Sequence, residues 1–310
     1  GDEDCKQALG SPALKPTLQA LAKVERTAKE KGERQEAARR AEDARQRQIA
    51  ARQRLEAAKI AEETRQLLEA ERRAAAERRP VPFGSGTGFS VTPSGYILTN
   101  RHVVTYRAEG KSALCNLVTV EQVSVLKEAE IIAIDDTNDL ALLKVAMDGS
   151  DALAINATNA APLDNIIVAG FPLSGKLSSS VKVTKGVVNS DSGPPLPGSL
   201  GDNYSLLQID AAMQPGNSGG PIINEWGNVV GVAVGMYAEK FRRETGILPQ
   251  NINFGIKSSI ARTFLSANNI DLPLPNLKPL TTLELRERIT KSTHKVICSI
   301  TRAQARRIKK

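Results

Sequence analysis

The chain has few of the residues on which several classes of protein site depend. Of its 310 residues only 4% are aromatic, two are histidine and three are cysteine, namely Cys5, Cys115 and Cys298. The cysteines match no metal-binding spacing and are too few for a disulfide scaffold, so one disulfide plus a free thiol and three unpaired thiols both stay open. No apolar run reaches 18 residues, which excludes a transmembrane helix. We therefore expect no metal ion, no cofactor and no membrane span.

Charge is distributed unevenly along the chain. The net charge is +8, to which residues 1–15 contribute −1, residues 16–80 contribute +5, residues 81–272 contribute −4 and residues 273–310 contribute +8. An enzyme of nucleic acids would concentrate basic side chains around its site, whereas the centre of this chain is mildly acidic. The charge pattern therefore argues against a nucleic-acid partner.

Residues 1–80 form the first predicted region, a long charged helix. From 17 to 79 there is no proline and one glycine, and helix-forming residues dominate until Pro80 and Pro82 end the pattern. Apolar residues recur every seven positions with one shift of phase, at Ala37, Ala44, Ala51, Ala58, Ile60, Leu67 and Ala74. One interpretation is a coiled coil that forms a homo-oligomer. The other is a solvated single helix stabilised by i,i+4 ion pairs.

Residues 81–270 change to short Val/Ile/Leu-rich runs separated by Gly, Pro, Asn and Ser. Two groups of about six such runs, with no helices between them, lie before and after the segment APLDN at 161–165. This pattern predicts a mainly β domain built as two antiparallel barrels or a sandwich, closed by a short helix that ends near residue 269.

Residues 271–310 read as a proline-rich linker and a basic tail, too short for another domain. The tail contains HKVICSI at 294–300, which alternates like a strand. We expect this segment either to add a strand to a barrel edge or to dock on the long helix. If the chain forms a disulfide, Cys298 would bond to Cys115 or Cys5. Because His294 lies beside lysine in the tail, we expect it to be a solvated surface residue.

Ser218 lies in QPGNSGGP at 214–221, directly after the mostly apolar run LLQIDAAM. A serine hydroxyl attacks a carbonyl only with a neighbouring base, a group that orients the base, and backbone N–H donors for the oxyanion. A glycine-rich turn alone is equally well an exposed loop. The assignment therefore depends on partners elsewhere in the chain.

A base and an orienting carboxylate can be found among few candidates. His102 follows an apolar strand in LTNRHVV, and His294 has been placed on the surface. Asp139 precedes a buried run in NDLALLKV, whereas Asp135 and Asp136 lie in a turn-like segment. The first strand group therefore supplies His102 and Asp139, the second supplies Ser218, and the site is predicted between the barrels.

Seven motifs occur in a fixed order that resembles the HtrA/DegP-like branch of the chymotrypsin-fold serine proteases over roughly residues 84–267. They are GSGTGF, TNRHVV, DLALL, the GFP of AGFPL, QIDAAMQPGNSGGP, GNVVGVAV and INFGI. The resemblance implies a double β-barrel endopeptidase of protein or peptide substrates, with His102 as general base, Asp139 orienting it and Ser218 as nucleophile. It also implies an oxyanion hole from the amides of Gly216 and Ser218, with Asn217 between them.

The resemblance places the wall of the S1 pocket just before the nucleophile. The residue six positions before Ser218 is Ala212 rather than an acid, and Asp210, eight positions before, is interpreted as structural. We therefore expect a small or medium aliphatic P1 residue and no preference for a basic one. The expected pocket residues are Ala212, Met213, Val234, Gly235 and Phe254.

The flanking regions depart from the family pattern. HtrA-like enzymes usually carry a PDZ domain after the protease, and their trimer is built by residues just before the barrel, where this chain has the long helix. The resemblance therefore predicts neither a PDZ domain nor this trimer for the chain. A periplasmic or secreted location is implied by the resemblance. The alternative to an enzyme is a catalytically silent or latent scaffold that acts through the helix.

Overall fold

The computed structural model describes residues 15–108, 110–122, 125–147, 151–173, 180–194, 202–235, 246 and 251–308. The chain divides into two compact units, residues 1–75 and residues 76–310. Cys5 lies outside the described residues. No helix within these ranges is both long and apolar enough to cross a membrane.

Helix α1 spans Lys15–Arg78 and buries none of its side chains. Its 64 residues correspond to a length of about 96 Å at about 1.5 Å per residue. Ion pairs one turn apart, such as Arg26–Glu30 and Arg73–Glu69, run along its surface, and each contributes about 0.3–0.5 kcal/mol. Large apolar side chains including Leu55 and Leu67 are exposed. The coiled-coil interpretation therefore stays a prediction.

The second unit is built from strands with a few short helices. The strands are β1 Pro80–Ser90, β2 Tyr96–Asn100, β3 Thr105–Ala108, β4 Lys111–Leu114, β5 Leu117–Gln122, β6 Val125–Asp135, β7 Leu140–Val145, β8 Asn165–Gly170, β9 Lys182–Ser190, β10 Leu206–Ile209, β11 Pro221–Ile223, β12 Val229–Val234, β13 Asn253–Lys257 and β14 Thr293–Thr301. The helices are α2 Ser258–Ala267, α3 Thr282–Ser292 and α4 Arg302–Ile308, and a 3₁₀ turn covers Arg101–Val103.

Two closed barrels contain six strands each. The first has the order β1-β14-β5-β6-β7-β2 and the second the order β10-β13-β12-β11-β8-β9, all neighbours being antiparallel, while β3 and β4 form a separate hairpin. Closure leaves no barrel strand with an unpaired edge. The prediction of a mainly β double barrel preceded by a long helix is confirmed.

A continuous apolar core joins the two barrels. One cluster of buried side chains includes Phe89 and Leu98 of the first barrel, Val232 of the second, and Phe264 of α2. Strand β7 is buried along nearly its whole length, which explains its uninterrupted apolar sequence. The cleft between the barrels is therefore held by the same hydrophobic contacts that stabilise each barrel.

The C-terminal segment completes the first barrel. Strand β14 pairs with β1 from Pro80–Thr301 to Phe89–Thr293, and on its other side with β5. The proline-rich sequence predicts a tail outside the β domain after residue 270, whereas β14 is one of the six strands of the first barrel. HKVICSI contributes a strand, but between two others rather than at an edge.

The prediction that His294 is a solvated surface residue is wrong. Its side chain is 1% exposed, because β14 turns it into the interior, and its Nε2 lies 2.7 Å from Ser90 Oγ. Burial lowers the pKa of His294 from 6.5 to about 4. Cys298, on the same strand, forms a disulfide with Cys115, and their Cα atoms lie 5.5 Å apart.

We expect the disulfide to contribute about 2–5 kcal/mol to the free energy of unfolding, because it closes a loop of 183 residues and ties β14 to the barrel. Urea denaturation of the oxidised protein and of Cys298→Ser measures the difference. The matched control is Cys5→Ser, which leaves the disulfide intact. Equal midpoints for the oxidised protein and Cys298→Ser would contradict the prediction.

We expect His294 to make stability fall on acidification. Its pKa is lowered to about 4 in the folded protein, so the unfolded chain takes up the proton first as the pH falls below 6.5. Stability is lost between about pH 6.5 and 4, by an amount on the order of 3 kcal/mol. Urea denaturation across this range should give a shallower pH dependence for His294→Gln. Parallel curves for the two proteins would refute this role of His294.

Candidate active site

The Asp139 carboxylate binds both the imidazole ring and the backbone N–H of His102. Asp139 Oδ2 lies 2.6 Å from His102 Nδ1, and Oδ1 accepts a hydrogen bond from the His102 backbone N–H at 3.0 Å. Because a carboxylate only accepts, the proton of the neutral ring lies on Nδ1 and leaves Nε2 as an acceptor. The imidazole is therefore fixed in one tautomer and one orientation.

Local structure explains why these two residues meet. His102 lies in the 3₁₀ turn after β2, and Asp139 immediately precedes β7, the strand paired with β2. The Asp139 carbonyl accepts hydrogen bonds from the Arg101 N–H and from Asn100 Nδ2, each at 3.0 Å. Asp139 has a φ of 56°, a left-handed conformation that these bonds hold in place.

The neighbouring acids have other partners. Asp135 accepts hydrogen bonds from the backbone of Thr137 and Asn138 and so stabilises the turn. Asp136 is exposed and pairs with Arg101. Of the three candidate carboxylates, the structure brings Asp139 to the histidine, as the sequence predicts.

The loop that carries Ser218 exposes two backbone donors. Gly216 has a φ of 109°, and a Cβ there would lie 2.5 Å from the Phe171 carbonyl oxygen, so only glycine fits. Within the described residues, neither the Gly216 N–H nor the Ser218 N–H donates to another group of the chain. Asn217 lies between them and is buried. These amides are free to bind an oxyanion.

The Ser218 hydroxyl is 3.0 Å from the Gly235 N–H and accepts its hydrogen bond. In the part of the chain that the structure describes, no hydrogen bond joins it to His102. Gly235, which the sequence assigns to the substrate pocket, therefore contacts the Ser218 hydroxyl directly. A Cβ at this position would lie 3.0 Å from Ser218 Oγ, so a larger residue would crowd the hydroxyl.

Thr87 of β1 fixes the nucleophile loop from the other barrel. Its N–H donates to the Ser218 carbonyl at 2.8 Å, and its hydroxyl donates to the Gly216 carbonyl at 2.6 Å. The same hydroxyl accepts from the Phe171 N–H at 3.0 Å, and the Thr87 carbonyl accepts from the Thr99 hydroxyl at 2.6 Å. Thr87 lies in the motif GSGTGF and Phe171 in AGFPL, but neither motif alone indicates this role. Only the spatial contact identifies it.

The remaining predicted pocket residues occupy different environments. Val234 and Phe254 are buried cross-strand partners, Met213 is partly buried against the core of the second barrel, and Ala212 is exposed. Residues 236–245 and 247–250, which follow Gly235, lie outside the described residues.

Asp210 has a structural partner. Its Oδ1 accepts a hydrogen bond from the Val187 N–H at 2.7 Å, and a Cβ on Gly186 would lie 2.2 Å from it. Among the described residues no cluster of three or more His, Cys, Asp or Glu side chains is arranged to hold a metal ion.

Comparison with known proteins finds similar sequences and structures. The family described as "Trypsin-like peptidase domain" matches residues 86–232. A protein of Sinorhizobium fredii named "Uncharacterized protein y4bJ" is 35% identical over 227 residues, which are 72% of this chain and 34% of that protein. A "Probable periplasmic serine endoprotease DegP-like" of Pseudomonas savastanoi is 36% identical over 180 residues, which are 57% of this chain and 33% of that protein.

Among solved structures, the active form of the Rv3671c protease from M. tuberculosis is similar with a TM-score of 0.48 and 25% identity, covering 65% of this chain and 85% of that one. The chain spans about one third of the length of the two curated relatives described. Residues 86–232 therefore match the trypsin-like peptidase family, and the chain is similar to HtrA/DegP-like serine proteases over part of its length.

Proposed function

We propose that the chain is a serine endopeptidase that hydrolyses peptide bonds of protein or peptide substrates through His102, Asp139 and Ser218. The observation that supports this best is the pair of hydrogen bonds that the Asp139 carboxylate accepts from His102, because they leave Nε2 as the only basic atom of the ring. The free amides of Gly216 and Ser218 support the same reaction, since acyl transfer needs donors where negative charge develops.

The reaction proceeds through an acyl-enzyme. His102 Nε2 takes the proton of Ser218 Oγ as this oxygen attacks the substrate carbonyl, and Asp139 stabilises the imidazolium that forms. The Gly216 and Ser218 amides bind the oxyanion. His102 then protonates the leaving amine, and a water molecule activated by the same imidazole hydrolyses the ester. Attack requires the hydroxyl to leave the Gly235 N–H to which it is bonded.

The hydrogen bond from Gly235 also favours a second candidate, a latent protease or a silent scaffold. A hydroxyl that accepts from Gly235 and does not contact His102 is not yet activated. The hydrogen bond between a nucleophile and its base often tightens only when substrate binds. The bond from Gly235 to Ser218 is therefore compatible with an active enzyme. Labelling of the serine separates the two candidates.

For specificity we propose a small or medium aliphatic P1 residue. Asp210 is bonded to the Val187 N–H, and the exposed Ala212 stands where a trypsin-like enzyme has an acid. The Cys115–Cys298 disulfide and the named periplasmic relatives support a periplasmic or secreted location, because disulfides persist in oxidising compartments.

A fluorophosphonate probe tests the catalytic assignment. We expect labelling of the wild-type protein, none of Ser218→Ala, and labelling reduced at least about hundredfold in rate for His102→Ala, because the base activates the hydroxyl. The control Asp136→Asn changes an acid near the site that does not contact the histidine. Absence of labelling in the wild-type protein, with a denatured substrate present, would favour the scaffold.

Removing the Thr87 hydroxyl should slow catalysis by misplacing the oxyanion donors. We expect Thr87→Val to lower kcat about 10–100-fold with little change in KM, since one such donor contributes about 10²–10³-fold. Thr87→Ser keeps the hydroxyl and should recover most of the rate. Circular dichroism checks that both variants are folded. A rate unchanged in Thr87→Val, or equal losses in both variants, would remove this positioning role.

A peptide library read by mass spectrometry tests the P1 preference. We expect cleavage after Val, Ala, Ile or Leu to exceed cleavage after Lys or Arg by at least about tenfold, because a basic side chain would be desolvated without a carboxylate partner. The Ser218→Ala protein controls for contaminating proteases. Efficient cleavage after Lys or Arg would overturn the pocket assignment and leave the triad assignment unaffected.

A further inference from the structure

A second concave site lies between α3 and β9, apart from the catalytic residues. It is a cavity of about 640 Å³, within the range of roughly 300–1,000 Å³ that ligand pockets occupy. One wall is a single face of α3 that carries Leu285 and Ile289, and the other is the face of β9 that carries Val183. Ile167 and Phe171 add to an aliphatic and aromatic lining.

Two cations line this cavity from opposite walls. Lys185 follows Val183 by two residues on β9, and Arg286 follows Leu285 on α3. Both side chains are exposed, and neither forms an ion pair within the described residues. The acid of the lining, Glu121, is already paired with Lys295 at 3.2 Å. The lining therefore presents uncompensated positive charge.

Thr293 also lines the cavity, but its hydroxyl oxygen is shielded from solvent and makes no hydrogen bond with the described chain. Its neighbour His294 uses Nε2 toward Ser90. Neither group is placed to bind an occupant, so the lining combines apolar walls with two exposed cations.

We propose that this cavity binds the carboxyl-terminal segment of an aliphatic peptide. Aliphatic side chains would contact the walls, and the terminal carboxylate would pair with Lys185 or Arg286. The proposal rests on the proposed function, because cleavage after an aliphatic P1 residue releases a new carboxyl terminus of this kind.

The cavity is connected to the catalytic loop through Phe171. Phe171 lines it, and its N–H donates to the Thr87 hydroxyl, which in turn donates to the Gly216 carbonyl. A peptide product retained in the cavity would thus lie against a residue that supports the oxyanion loop. This makes the cavity a product-binding site rather than an isolated void.

Titration calorimetry on the Ser218→Ala protein tests binding without turnover. The probes are acetyl-Ala-Val-Leu-Val with a free carboxylate and the same peptide with a terminal amide. We expect the acid to bind at least about tenfold more tightly, because charge-assisted hydrogen bonds contribute roughly 1.5–3 kcal/mol. Equal binding of acid and amide, or no binding of either, would overturn the proposal. So would decanoate binding as tightly as the peptide, since it would identify an amphiphile site.

Three further substitutions in the same background locate the site. Arg286→Glu reverses the charge of one cation, and Val183→Trp fills the cavity from an exposed position. Each should weaken binding of the free-carboxylate peptide at least about tenfold. Lys278→Glu makes the same charge change at an exposed position outside the lining and should have no effect. If all three bind like the parent, the peptide occupies the active site and the proposal fails.

The outcome is independent of catalysis. If the Ser218→Ala protein binds the free-carboxylate peptide but the wild-type protein is not labelled by the fluorophosphonate probe, only the proposed function is contradicted. A protein that cleaves substrate but binds no acid would contradict the cavity proposal alone.

Discussion

The hydrogen bond from the Thr87 N–H to the Ser218 carbonyl is the contact on which the geometry of the site depends. His102 and Asp139 belong to one closed barrel and Ser218 to the other, so neither barrel alone can set the distance between His102 and Ser218. Thr87 uses its N–H and its hydroxyl to tie the Ser218 loop to the first barrel, and its carbonyl accepts from the Thr99 hydroxyl within that barrel. The apolar core between the barrels keeps water from competing for these bonds.

The site residues lie where strands begin or end, so a rigid scaffold positions them. His102 follows β2, Asp139 precedes β7, and Ser218 precedes β11. The strands bury their apolar side chains, while the turns direct polar groups into the cleft. Glycines at 216 and 219 occupy left-handed conformations where a Cβ would lie within 2.5 Å of another atom. The loop therefore tolerates little change in shape.

Local sequence patterns were sufficient for a mainly β domain and for the candidates His102, Asp139 and Ser218, whereas the family resemblance selected barrels over a sandwich. Short apolar runs between turn residues predict strands, and a chain with two histidines leaves few choices of base. The position of β14 could not be found this way, because its partners β1 and β5 are chosen by register across about two hundred residues. His294 was misplaced for the same reason. Lysine beside it suggested solvent, whereas its burial depends on a distant strand.

The position of β14 has a consequence for biogenesis. Its pairing with β1 spans about two hundred residues, so the first barrel cannot close until β14 has been synthesised up to residue 301. At roughly 5–20 residues per second, nascent chains leave β1 and β5 with unpaired edges for tens of seconds. The second barrel, whose strands are contiguous, can close earlier. The N-terminal barrel is thus the last to be completed, and until then its unpaired strand edges are open to pairing with other chains.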